Sequence, residues 1–232
     1  MGDMAGVLYG IDRAVFVVVN RTLQNPVFDC LMPALSNKWL GLLLVAVVVP
    51  WLSARYGRRA WPAIGLAVLA VSLSDLGAGL IKQTVQRIRP CHVVPTVHLL
   101  AGCTRSFAMP SNHAGNMFAV AAVTGILLPR WGWVVLPLAG GVAYSRVYLG
   151  VHYPADVLVG ALWGAGLGCG LALLARRVLP PACLVAATST PTSPPPDHTA
   201  REGDTSLGSS RPETPTPGRH GRHPGVERHP NG

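Results

Sequence analysis

The stretch AWPAIGLAVLAVSLSDLGAGLI, residues 60–81, decides what kind of protein this is. It carries a single charged residue, Asp75, in 22 positions. A helix needs about 20 apolar residues to cross the hydrocarbon core of a bilayer. The run then ends abruptly in KQTVQRIRP, residues 82–90, with Lys82, Arg87 and Arg89 in quick succession. An apolar helix leaving a membrane reads this way.

Working outward, the same pattern recurs at residues 39–54, 114–129, 131–149 and 154–175. A water-soluble bundle would need polar outer faces, and this part of the chain does not supply them. The expected fold is therefore all-α, a polytopic transmembrane helix bundle with five strong spans. Val7–Leu23 is interrupted by Asp12, Arg13, Asn20 and Arg21. It reads either as an N-terminal interfacial helix or as a sixth span, and is too short and too interrupted for a signal peptide.

Charge is distributed unevenly along the 232 residues. Residues 1–180 hold 14 Lys/Arg and five acids, Asp3, Asp12, Asp29, Asp75 and Asp156. Residues 181–232 hold five Arg and five acids, so the net charge of +9 belongs entirely to the first part. The basic residues punctuate apolar runs and form no stripe with interleaved aromatics, which argues against nucleic acid as a partner. Two regions follow. Residues 1–180 are a membrane-embedded domain, and 181–232, rich in Pro, Thr, Ser and Gly, read as a disordered tail. His198, His220, His223 and His229 of that tail are explained by a flexible polar segment.

Arg55, Arg58, Arg59, Arg130, Arg176 and Arg177 all fall on one side if the spans alternate, and positive residues favour the cytoplasm. Residues 82–112 and 146–153 then face outward, and the tail lies in the cytoplasm. Cys91 and Cys103 share an outward loop where a disulfide could form, with Cys30 as a competitor. Cys169, in the last span, reads as packing.

Three polar clusters border the outward ends. In the first, Lys82 and Arg89 are seven residues apart, on one face if the helix continues, and can converge on one oxyanion. Arg87 lies off that face and reads as surface charge. In the second, Pro110-Ser111-Asn112-His113 opens an apolar helix. Ser111 is placed to cap it, and its first-turn N–H groups offer an oxyanion cradle. In the third, Ser145-Arg146 precedes His152 and Asp156, which are four apart. The carboxylate could hold one imidazole nitrogen and leave the other free as nucleophile or base. Tyr148 and Tyr153 read as interface aromatics. Asp75 reads as a polar neighbour inside the bundle, paired with a base such as Arg21 or Lys82.

Three cations, a hydroxyl, a helix N-terminus and two histidines make an inventory for phosphoryl transfer. A zinc site from His113, His152 and Asp156 is the alternative, but the surrounding cations oppose a metal and suit a phosphate. The expectation is no metal and no cofactor.

These clusters together resemble the type 2 phosphatidic acid phosphatase superfamily. Its first motif, Lys, six residues, Arg-Pro, is matched by Lys82 through Arg89-Pro90. Its Pro-Ser-Gly-His is matched by Pro110, Ser111 and His113, with Asn112 in place of Gly. Its third motif, Ser-Arg, five residues, His, three residues, Asp, is matched by Ser145-Arg146, His152 and Asp156. The resemblance covers about residues 5–178. It implies that His152 is the nucleophile forming a phosphohistidine, that Asp156 orients it, and that His113 is general acid and then base. Lys82, Arg89, Ser111, Asn112 and Arg146 would bind the phosphate. The implied activity is an integral-membrane lipid phosphatase of the bacterial inner membrane with its site on the extracytoplasmic side, acting on a lipid phosphate. Small bacterial members point to undecaprenyl diphosphate. Phosphatidic acid, phosphatidylglycerol phosphate, lipid A, or transfer to another acceptor are the alternatives.

Overall fold

A computed structural model of the chain describes residues 2–180 together with Cys183. The expected tail, with its histidines, lies otherwise outside the described residues. Among those described, all regular structure is helical. Helix α1 (Gly2–Val17) runs into one wider turn, Val18–Thr22, and is followed by α2 (Pro26–Leu35), α3 (Lys38–Tyr56) and α4 (Ala60–Val85). A single turn, α5 (Pro90–Val93), precedes α6 (Asn112–Leu127), α7 (Pro129–Tyr148) and α8 (Pro154–Val178).

The five expected apolar runs are α3, α4, α6, α7 and α8, each boundary within a few residues. Lys38–Val93, which contains α3 and α4, and Pro154–Val178 are long and apolar enough to cross a membrane, each with a mean hydropathy of 2.0. The surface agrees with the composition. Helix α3 buries no residue, and Leu80 and Leu162 are 67% and 66% exposed. Such faces carry an apolar surface that water would disfavour and lipid would not.

Helices α6 and α8 form the centre. Gly160, Gly164 and Gly168 recur every fourth residue on one face of α8, against the backbone of Ser111, Gly115 and Ala119. A Cβ on Gly164 would collide with the Gly115 carbonyl. Small residues let two backbones approach in this way where lipid provides no hydrophobic drive for association. At the end away from Lys82, Ala63, Val123, Leu127 and Leu128 pack together with Leu52, Trp131 and Leu179 around them. Arg55, Arg58, Arg59, Arg130, Arg176 and Arg177 border this end.

The opposite end is where α1 docks. Tyr9 and Phe16 meet Tyr153, at ring separations of 6.0 and 5.3 Å. The Asp12 carboxylate accepts from Ala155 N at 2.8 Å, and the Asn20 amide donates to Tyr148 O at 2.7 Å. Residues 9–20 thus touch the connection between α7 and α8 along their length, and run across the end of the bundle. Tyr148 and Tyr153 are buried, 0% and 1% exposed, which corrects their reading as interface aromatics. Tyr148 Oη donates to Asp29 at 2.6 Å, and Tyr153 packs inside α1.

Candidate active site

Lys82 sits on the last turn of α4, and its ammonium donates to the Pro110 carbonyl. The expectation that Arg89 continues on the same helix face is corrected. Gln86 takes a left-handed conformation, φ 48°, which ends α4, and Arg89 follows in extended backbone. The turn brings Arg89 back over the bundle, where it is buried, 7% exposed. Its Nε donates to Ser106 O at 2.8 Å and its Nη2 to Ser106 Oγ at 3.0 Å. Its Nη1 donates to Val151 O at 3.0 Å and meets His152 Nε2 at 2.9 Å. A Cys91–Cys103 disulfide closes the segment just before Ser106, and Cys30 is a free thiol.

Arginine has only donors, so His152 Nε2 must present its lone pair to Arg89, and the ring proton resides on Nδ1. Nδ1 faces Asp156 Oδ2 at 3.6 Å, a contact longer than a hydrogen bond. The expected carboxylate–imidazole contact is present, but Asp156 is bonded elsewhere. Its Oδ2 accepts from Tyr153 N at 2.8 Å and its Oδ1 from Arg87 Nη1 at 2.8 Å. Burial above all depresses the His152 pKa, to about 4, with Asp156 opposing and Arg89 reinforcing the shift. The imidazole is neutral at pH 7, with the Nε2 electron pair directed at Arg89. Burial likewise lowers the Arg89 pKa, opposed by Asp156.

The loop that holds His152 is fixed by two bonds to one carbonyl, from Val151 N and His152 N to Arg146 O, each 3.3 Å. Gly150 turns the chain there with φ +78°, and a Cβ would meet His98 O at 3.0 Å. Arg146, on the last turn of α7, has its Nε buried with no hydrogen-bond partner. The charges of Arg146, Arg89 and Lys82 all act on the ring of His113, so these groups share one neighbourhood.

Ser111 precedes α6 with the expected extended backbone, but its side chain makes no cap bond. Its Oγ is buried and unpartnered, while its N–H donates to Asp156 O at 2.9 Å. The first intrahelical bond of α6 runs from Gly115 N to Ser111 O, so the N–H groups of Asn112, His113 and Ala114 form the open turn. Asn112 Nδ2 donates to Asp75 at 2.7 Å, and Asn116 Nδ2 to the same oxygen at 3.0 Å. Asp75 therefore pairs with two amides and not with Arg21 or Lys82.

The residue that sequence reasoning misplaced is Arg87. It is no surface charge: it bridges Asp12 and Asp156 and lies 4.3 Å over the Tyr153 ring. A signal was present, because acids are so scarce before residue 181 that Asp12, interrupting an apolar helix, called for a basic partner.

Comparison with known proteins identifies the family. Residues 60–179 match the PAP2 superfamily. The chain is 36% identical over 100 residues to an undecaprenyl-diphosphatase of Sulfolobus acidocaldarius, covering 42% of this chain and 46% of that protein. It thus spans about half the length of that relative. It is 35% identical over 163 residues to a decaprenylphosphoryl-5-phosphoribose phosphatase of Mycobacterium tuberculosis, covering 68% of this chain and 80% of the other. The crystal structure of a PAP2-type phosphatidylglycerolphosphate phosphatase from Bacillus subtilis shares the fold, with a TM-score of 0.60 at 24% identity, over 74% of this chain and 88% of that one. With the matched region spanning α4 to α8 and all three polar clusters, the chain belongs to the PAP2 superfamily.

Proposed function

We propose that this protein is a membrane lipid phosphatase that works through a phosphohistidine on His152. One observation carries the reading: an unprotonated Nε2 on a buried His152 meets Arg89, while Ser111 Oγ and Arg146 Nε are buried without partners. Buried polar groups rarely go unpaired, and these two are suited to the oxygens of a phosphate.

In the first step the Nε2 electron pair attacks phosphorus and the bond from phosphorus to the lipid oxygen breaks. His113, which draws a proton from solvent as the negative phosphate settles beside it, delivers that proton to the departing oxygen. In the second, His113, now neutral, takes a proton from water as the water oxygen bonds to phosphorus. The P–N bond then breaks, releasing inorganic phosphate and restoring His152. Asp156 stabilises the positive charge that the ring acquires in between. Lys82, Arg89, Arg146, Ser111 and the first turn of α6 at Asn112 hold the nonbridging oxygens. No step calls on a metal.

The substrate class we propose is a polyprenyl-linked phosphate, the feature common to the names of the Sulfolobus and Mycobacterium relatives. Undecaprenyl diphosphate is one member. An apolar groove of about 320 Å³ between α1, α6, α7 and α8, lined by Val15, Phe118, Val147, Val157 and Leu158, is suited to part of its tail. The protein would lie in a bacterial inner membrane with the site on the extracytoplasmic side and the C-terminus in the cytoplasm.

The test is phosphate release by the detergent-purified protein from undecaprenyl diphosphate, decaprenylphosphoryl-5-phosphoribose, phosphatidic acid, phosphatidylglycerol phosphate and lipid A, with and without EDTA. Preference for the polyprenyl substrates, unaffected by EDTA and lost in His152→Ala, is expected. Preference for a glycerophospholipid or lipid A would overturn the substrate class, and turnover by His152→Ala would overturn the phosphohistidine.

A further inference from the structure

Asp12 lies outside the region matched to the PAP2 superfamily, yet it reaches the catalytic carboxylate through a single residue. Its Oδ1 accepts from Ala155 N at 2.8 Å, and its Oδ2 pairs with Arg87 Nη2. Arg87 Nη1 in turn donates to Asp156 Oδ1 at 2.8 Å. Arg87 is enclosed: its side chain is 16% exposed, its guanidinium lies over Tyr153 and is 5.8 Å from the Tyr9 ring, and its carbonyl accepts from Ala108 N at 2.7 Å.

Relying on the phosphatase reading above, we infer that Asp12 and Arg87 form a positioning couple for His152, through which the N-terminal helix α1 sets the catalytic geometry. Asp156 has two oxygens and three neighbours to serve. Tyr153 N and His152 Nδ1 share Oδ2, and Arg87 takes Oδ1. A carboxylate held at one oxygen only can swing about its Cβ–Cγ bond. Arg87 fixes the second oxygen, and Asp12 fixes Arg87 by occupying the other branch of its planar fork. Oδ2 then stays aimed at Nδ1, which keeps the ring proton there and the electron pair on Nε2. Neither Asp12 nor Arg87 touches the reacting atoms, so they are positioning residues. The null alternative is that the pair merely fastens α1 to the bundle.

Inorganic vanadate tests the difference without a lipid. Vanadate takes the five-coordinate geometry of phosphoryl transfer and bonds to the attacking nitrogen, whereas inorganic phosphate only fills the anion site. Both are titrated into the full-length protein, into Asp12→Ala, Arg87→Met, Arg87→Lys and the Asp12→Ala/Arg87→Met double variant, and into His152→Ala. The expected result is vanadate affinity reduced about 10- to 100-fold in Asp12→Ala and Arg87→Met, the scale on which outer partners of an oriented histidine act. Phosphate affinity should be unchanged, which also shows that the variants are folded. The double variant should match the worse single one, since both act through one carboxylate, and Arg87→Lys should lie between wild type and Arg87→Met. Wild-type vanadate affinity in the single variants, with His152→Ala impaired, would overturn the couple and leave the phosphatase reading intact. So would equal loss of phosphate and vanadate binding accompanied by lower melting temperatures, since that is the fastening role. Vanadate binding that is insensitive to His152→Ala would overturn the phosphohistidine reading and the couple with it.

Discussion

At the scale of the residue, His152 shows how burial prepares a side chain for chemistry. An exposed histidine near pH 6.5 is partly protonated and a poor nucleophile, whereas this one remains neutral down to about pH 4. The same shift has a cost in acid. The unfolded chain accepts the proton near 6.5 and the folded chain only near 4. Stability from the neutral ring is therefore full above 6.5 and declines as pH falls toward the folded value. His152→Gln, which cannot take the proton, should flatten the fall in melting temperature between about pH 7 and about pH 4.5. An unchanged slope would show that His152 titrates normally. Residue identities at the site were legible from the sequence because motif spacing names them. Their partners were not. Nothing in the spacing says that Asp156 spends its oxygens on Arg87 and Tyr153 N, because those bonds depend on how the loops close.

Among elements, the contact between α6 and α8 governs the site, since Ser111 N and Asp156 O join the first turns of the two helices. The glycine face of α8 sets their distance. Gly164→Leu should lower stability by about 3 kcal/mol, through steric displacement of α6. Gly166→Leu, where a Cβ would meet nothing within 4 Å, should change it by no more than about 0.5 kcal/mol. Thermal unfolding in detergent distinguishes them, and equal effects would rule out the close crossing. The long helices were readable in advance because an apolar run of membrane length admits little else. The break at Gln86 was not readable. Lys82 and Arg89 fit a continuous helical face equally well, and only the return of the chain over the bundle shows that the helix stops. The course of α1 was half visible: its polar interruptions excluded a simple span, but the Asn20 and Asp12 bonds that lay it across the bundle join residues more than 75 positions apart in sequence.

At the scale of the whole molecule, a group of six arginines and the candidate chemistry are segregated, among the described residues, to opposite ends. Arg55, Arg58, Arg59, Arg130, Arg176 and Arg177 border one end, and Lys82, His113, Arg146 and His152 gather at the other. If those six arginines stay in the cytoplasm, as positive residues favour, the site faces outward, which is the orientation proposed above. A reporter protein fused after residue 180 should be active only as a cytoplasmic form, with fluorescent protein bright and secreted-type alkaline phosphatase silent. The reverse pattern would invert the orientation.

The disulfide between Cys91 and Cys103 acquires a meaning from that segregation. It ties down the chain three residues before Ser106, which grips Arg89, and such bonds persist where thiols are oxidised. A chain inserted upside down would leave both thiols reduced and the Arg89 loop unlatched. In the orientation proposed above, the bond would therefore record which face of the chain has crossed the membrane.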